Sequence, residues 1–248
     1  MTTPAPARPS ATVLLVRQRD ELEVLMVERH EKTYFSSALV FPGGLVGEED
    51  FTPAWDQMAD GGAGLGPAER ALRIAAFREL YEETGLLLGG RSAKGADKAA
   101  SDDFAARLKA NGLRLDLDGL HRFAHWITPE MSPRRYDTHF FLCGLTSDIE
   151  PVSDGRETVF VDWMSPARAL ALARAGERKV LFPTMLNLEL LAQSATVDAA
   201  IDAARSRRIV TVTPTVERRP EGIFLSVHPD AGYGARSEPA PRGPIAPP

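Results

Sequence analysis

The stretch Arg78-Glu79-Leu80-Tyr81-Glu82-Glu83-Thr84-Gly85-Leu86 crowds three carboxylates into one short segment. At about 100° per residue on a helix, Glu79, Glu82 and Glu83 fall within an arc of roughly 100°. Ile74, Phe77, Leu80 and Tyr81 take the remaining side. One face is built for a core, and the other is a carboxylate cluster. Like charges at helical neighbour spacing cost roughly 0.2–0.5 kcal/mol per pair unless something offsets them. Hard oxygen ligands at this density suit Mg2+ or Mn2+. A metal there could neutralise a diphosphate, orient it and activate water. A solvated acidic helix face would show the same three residues, so the surrounding pattern has to decide.

That pattern is a set of alternating elements. Ala68 to Thr84 reads as a helix with Gly85 as its stop. Upstream, the apolar runs Ala11–Val16 and Val24–Val27 flank a polar stretch and predict a β-hairpin. Leu39–Phe41 is a third strand ending in Pro42-Gly43-Gly44, and residues 50–67 read as a long, acidic, Gly-rich loop. A loop over 91–101 leads to a helix near 101–111. Strands are predicted at Phe123–Thr128, His139–Leu145 and Val159–Trp163. Ser165-Pro166 is an N-cap and N1 pair opening a helix. Pro183–Gln193 and Val197–Arg205 follow as helices, and Ile209–Val212 and Ile223–Val227 as closing strands. Without strict βαβ alternation, the order argues for an α/β sandwich rather than a doubly wound sheet. Residues 1–10 and 235–248, rich in Pro and small residues, read as disordered tails.

Taken with Phe41-Pro42-Gly43-Gly44, residues 78–86 make the chain resemble the Nudix hydrolase family. Its box runs G, five residues, E, seven residues, then R-E-U-x-E-E-x-G-U, where U is a bulky aliphatic residue. Residues 78–86 satisfy every position of the second half, and Gly44 stands as the box glycine. Asp50 falls where the family usually has Glu, and 27 residues separate it from Arg78, which implies a 20-residue insertion inside the box. A second register uses Gly64 but puts Arg70 at the Glu position. The resemblance covers residues 11–234, read as a single domain with an insertion at about 51–66. It implies an α/β/α sandwich with a mixed sheet and a loop–helix–loop catalytic motif. It implies Glu82 and Glu83 as metal ligands and Glu79 as ligand or general base. Arg78 would orient these carboxylates by salt bridges. Glu157, six residues before Trp163, is the candidate for a further catalytic Glu.

Within the family the chain is most similar to the branch that includes nucleoside diphosphate-linked moiety X motif 19, a coenzyme A diphosphatase. The segments carrying this are W-I-T-P-E-M-S-P-R-R-Y-D-T-H-F-F at 126–141, E-T-V-F-V-D-W-M-S-P-A-R-A-L at 157–170, and F-P-T at 182–184. A stricter coenzyme A signature has Arg and Gly where this chain has Thr33 and Ser37. Coenzyme A or its acyl form is the first substrate to expect, with ADP-ribose, dinucleotides and nucleotide sugars as the alternative. A non-catalytic ligand-binding or regulatory module is the third reading.

Arg134, Arg135 and Tyr136 sit between two strands, where arginines could grip phosphate and the ring could stack on a base. Arg29 at a strand end is a further candidate for substrate binding. His121, His125 and His139 are scattered over strands and read as structural rather than as metal ligands. The net charge of −5 does not suggest a nucleic-acid partner. No run approaches the ~18 apolar residues of a membrane span. The single cysteine, Cys143, allows no internal disulfide, which suits the cytoplasm. The expected partner is a small diphosphate compound, and a homodimer is one assembly the sequence permits.

Overall fold

The computed structural model describes residues 4–29, 38–89, 92–95, 103–152 and 158–239. The chain opens with β1 (Ala7–Gln18), β2 (Leu22–Arg29), β3 (Ala38–Val40) and β4 (Gly43–Leu45). Two 3-10 turns, Glu48–Phe51 and Pro53–Gln57, and β5 (Ala59–Asp60) lead into α1 (Pro67–Thr84). Then come β6 (Leu86–Gly89), β7 (Ser92–Gly95), α2 (Phe104–Ala110), β8 (Leu115–Asp116), a 3-10 turn at Leu117–Gly119, and the long pair β9 (His121–Ile127) and β10 (Arg135–Leu145). After β11 (Thr158–Met164), α3 (Pro166–Arg174), β12 (Lys179–Val180), α4 (Phe182–Leu191) and α5 (Val197–Ser206) follow. The last elements are β13 (Thr211–Val212), β14 (Thr215–Arg219), β15 (Gly222–Val227) and β16 (Arg236–Pro239).

The central sheet runs β12-β3-β2-β1-β10-β9-β13, with β11 also on β2 and β4 also on β1. It is mixed: β1 and β10 are parallel, while β1–β2 and β9–β10 are antiparallel. Because β1 is covered on both faces, its sequence reads as continuous apolar residues rather than an alternation. Val13 and Leu15 face one core, with Ile74, Phe77 and Leu80 of α1 and Leu108 of α2. Leu14 and Val16 face the other, with Leu170 of α3, Leu186 of α4 and Ile201 of α5. Helices on both faces of a mixed sheet make the α/β/α sandwich. Leu80 is fully buried. Truncating such a leucine costs about 2–5 kcal/mol, so the apolar side of α1 fixes where its carboxylates point.

Three expectations need correction. The first strand starts at Ala7, inside the expected tail, because backbone pairing does not require apolar side chains. Ala7 to Ser10 pair with Arg135 to Thr138. Pro9 donates nothing, yet its carbonyl accepts from the Val46 N–H at 3.0 Å. At the other end, Arg236–Pro239 adds an antiparallel strand to β15, whose Leu225 and Val227 are anchored in a core. The insertion is not simply a surface loop. Trp55 is buried, its indole N–H donates to the Glu49 carbonyl at 2.8 Å, and its ring packs on Phe104, which packs in turn on Tyr81 of α1.

Candidate active site

Helix α1 ends at Gly85, whose φ of 67° is the left-handed conformation that a residue without Cβ adopts most readily. Its N–H closes the last turn on the Tyr81 carbonyl at 2.8 Å. The final two turns therefore hold Arg78, Glu79, Glu82 and Glu83 on a rigid element.

Arg78 is the hub. Its Nε and Nη2 donate to the two oxygens of Asp50 at 3.0 and 2.9 Å. Nη2 also donates to the Leu45 carbonyl at 2.9 Å, and Nη1 to Glu79 at 2.8 Å and Glu82 at 3.1 Å. Asp50 is 1% exposed and accepts a further bond from the Gly47 N–H at 2.8 Å. Asp50, six residues past Gly44, is the residue on Arg78, while Arg70 pairs with Asp56 at 2.8 Å. The insertion leaves the site at Asp50 and returns by way of α1. Burial lowers the pKa of Arg78, but its bonds to Asp50 and the charges of Glu79 and Glu82 outweigh that and leave it raised. Glu82 is pushed up, first by partial burial and then by Asp50 and Glu49, against the pull of Arg78.

The glycines explain how the loop reaches the helix. A Cβ on Gly44 would lie 2.2 Å from Glu79 Oε2, so a larger residue there would push that carboxylate aside. A Cβ on Gly43 would meet the Ala11 carbonyl oxygen at 2.4 Å. The Gly43 N–H in turn donates to Glu83, itself 2% exposed, at 2.9 Å.

Glu157, Thr33 and Ser37 lie outside the described residues, as does the side chain of Arg29, whose backbone pairs with Thr158. Arg134 is exposed on the turn before β10, and Tyr136 is half-buried on that strand. Arg135 spends Nε on the Thr128 carbonyl at 3.1 Å and Nη1 on the Ala5 carbonyl at 2.9 Å. That is a structural clamp between the β9–β10 turn and the start of the chain.

A second polar cluster escaped the sequence reading. His125 and His139 face each other across β9 and β10, their rings stacked with centroids 4.0 Å apart. Their Nε2 atoms lie 2.5 and 3.4 Å from Asp137 Oδ1. The signal was D-x-H, which puts both side chains on one face of a strand. By atom count this trio could hold a metal. Its hydrogen bonds argue otherwise. Arg122 Nη1 lies 3.0 Å from His139 Nδ1, and a guanidinium can only donate. Nδ1 then accepts, and the proton sits on Nε2, toward Asp137. His139 is held down to about 4 by burial, and further by His125 and Arg122.

With a mixed α/β/α sandwich, a glycine loop against a helical carboxylate cluster, and a family model described as the NUDT19 Nudix domain matching residues 56–191, more than half its length, the chain belongs to the Nudix family. Its similarity points to one branch. It is 30% identical to the chicken (Gallus gallus) acyl-coenzyme A diphosphatase NUDT19, covering 63% of this chain and 57% of the relative. It is 26% identical to the Xenopus laevis protein of the same name, covering 60% and 54%. The chain thus spans little more than half the length of these relatives. A crystal structure of a Nudix hydrolase from Alicyclobacillus acidocaldarius superposes with a TM-score of 0.69 at 27% identity, over 79% of this chain and 96% of that one. No helix among the described residues is long and apolar enough to cross a membrane.

Proposed function

We propose that this chain hydrolyses the diphosphate linkage of a nucleoside diphosphate derivative with Mg2+ or Mn2+. The observation that carries the reading is the imbalance around Arg78. Asp50, Glu79, Glu82 and Glu49 all approach this one guanidinium within 4.0 Å, and Glu83 lies one helical position beyond Glu82. One cation cannot neutralise that set, and an all-oxygen donor group suits a hard divalent ion. Glu79, Glu82 and Glu83 would hold it. When bound, the metal offsets charge on the diphosphate and makes water a better nucleophile. Arg78 orients Glu79 and Glu82, and Asp50 holds Arg78. Glu79, or alternatively Glu157, takes the proton as water attacks one phosphorus. The bond from that phosphorus to the bridging oxygen breaks, and two phosphate monoesters leave.

Likeness to the chicken and Xenopus enzymes supports coenzyme A or an acyl derivative as substrate, with Arg134 and Tyr136 as candidates to meet it. Thr33 and Ser37 depart from the stricter coenzyme A pattern and favour ADP-ribose as the second reading. Retention of all three α1 carboxylates weighs against a non-catalytic module. The test is a product screen with Mg2+ and Mn2+ over coenzyme A, acetyl-coenzyme A, ADP-ribose and a dinucleotide. Cleavage of the coenzyme A pair is expected. Cleavage of ADP-ribose alone would replace the substrate, and cleavage of none would overturn the hydrolase reading.

A further inference from the structure

A cleft of about 330 Å3 opens beside the end of α5, against the start of β9 and the first half of α1. Its polar lining is Arg73, Asp118, His121, Arg122, Arg205 and Arg207. Two of the arginines are anchored through Glu69. Arg73 donates to it from Nε at 3.1 Å and to the Leu117 and Leu120 carbonyls from Nη1. Arg122 grips both Glu69 oxygens. Arg207 is different. Its Nη2 donates to the Phe123 carbonyl at 2.6 Å, and its guanidinium lies over the Phe123 ring. Burial lowers its pKa, and no carboxylate among the described residues forms an ion pair with it. Arg205 is exposed on the last turn of α5.

Four guanidiniums therefore meet two carboxylates, Glu69 and Asp118. The carbonyl end of α5 contributes about half a negative charge more. Over one positive charge is left in an open cleft whose Arg73 is buried and whose Arg122 and Arg207 are half-buried. We propose that this cleft binds a phosphate monoester. Guanidinium forks match phosphate oxygens and grip them two at a time. The volume is at the lower end of small-molecule sites, so a phosphate with a small organic body fills it better than a bare ion. Arg73 lies six residues before Glu79, about 9 Å along the α1 axis. That spacing permits two sources: a phosphate on a remote arm of the substrate proposed above, or a separate phosphorylated effector. Only the first rests on the hydrolase reading.

Calorimetric titration with phenyl phosphate in EDTA tests the site directly, because chelation keeps any metal off the α1 carboxylates and no turnover is needed. Saturable 1:1 binding is expected in the wild-type chain, weakened at least tenfold in Arg205→Glu and in Arg207→Gln, and unchanged in Glu83→Gln. Arg205 is exposed, so its variant reports on the cleft even if Arg207→Gln folds poorly. No saturable binding, or equal binding in all four proteins, overturns the proposal. Kinetics then separate the sources. If the cleft holds a substrate arm, Arg205→Glu raises KM for coenzyme A at least fivefold but not for its dephospho form. If it holds an effector, phenyl phosphate alters the wild-type rate and not the variant's, with both KM values unchanged.

Discussion

The two halves of α1 carry opposite charge imbalances. Near its C-terminus, Asp50, Glu79, Glu82 and Glu83 outnumber Arg78. Near its N-terminus, Glu69 is shared between Arg73 and Arg122, with Arg205 and Arg207 beyond. One helix thus presents a region that attracts a cation and a region that attracts an anion. The difference lies in how each is assembled. The acidic cluster is mostly one helix turn set against a glycine loop. The basic one joins α1, β9 and α5, so it exists only once the sandwich has closed.

Breaking the hub of the acidic half should have the largest effect. Arg78→Ala leaves Asp50 buried without its cation, which should cost about 3–5 kcal/mol in urea unfolding. Asp50→Asn in the same background should recover part of the loss, and additive costs would show that the two do not couple. Next, Glu83→Gln should reduce metal-dependent turnover by roughly 10²-fold or more while leaving the thermal midpoint nearly unchanged. A full-rate Glu83→Gln enzyme would remove the acidic half from the chemistry.

The basic half is probed by acid. His139 titrates near 4 in the folded chain, below the ordinary histidine value near 6.5. As pH falls between those values, the unfolded chain takes up a proton that the folded chain refuses. Stability should therefore drop across that window, by on the order of 2 kcal/mol, and level off below it. His139→Asn should flatten the slope, and an unchanged slope would place the titration elsewhere. The smallest effect belongs to Gly44→Ala. The new Cβ would displace the Glu79 carboxylate, and turnover should fall roughly tenfold with little change in stability.

The sequence announced the acidic half because spacing along one helix maps directly onto one face. Gly43 and Gly44 were legible as a motif, although their closeness to Glu79 and to β1 was not. Counting from Gly44 reaches Asp50, but its pairing with Arg78 is visible only in space. The long central strands were plain from apolar runs. The ends were misread because Ala7–Ser10 and Arg236–Pro239 are ordered by backbone pairing, which composition does not encode. Trp55 looked like a loop residue until Phe104 supplied its partner. His125, Asp137 and His139 required the β9–β10 register, and Arg205 and Arg207 required the packing of α5.

Under the proposed function, the α1 carboxylates hold the metal on which hydrolysis depends. Calorimetric Mn2+ titration of the wild-type chain, Glu82→Gln and Glu83→Gln tests it most directly, with His125→Asn as the control for the histidine cluster. Saturable Mn2+ binding is predicted for the wild type and His125→Asn, weakened at least tenfold in both glutamate variants. Binding unaffected in the glutamate variants but lost in His125→Asn would move the metal from α1 to the histidine cluster.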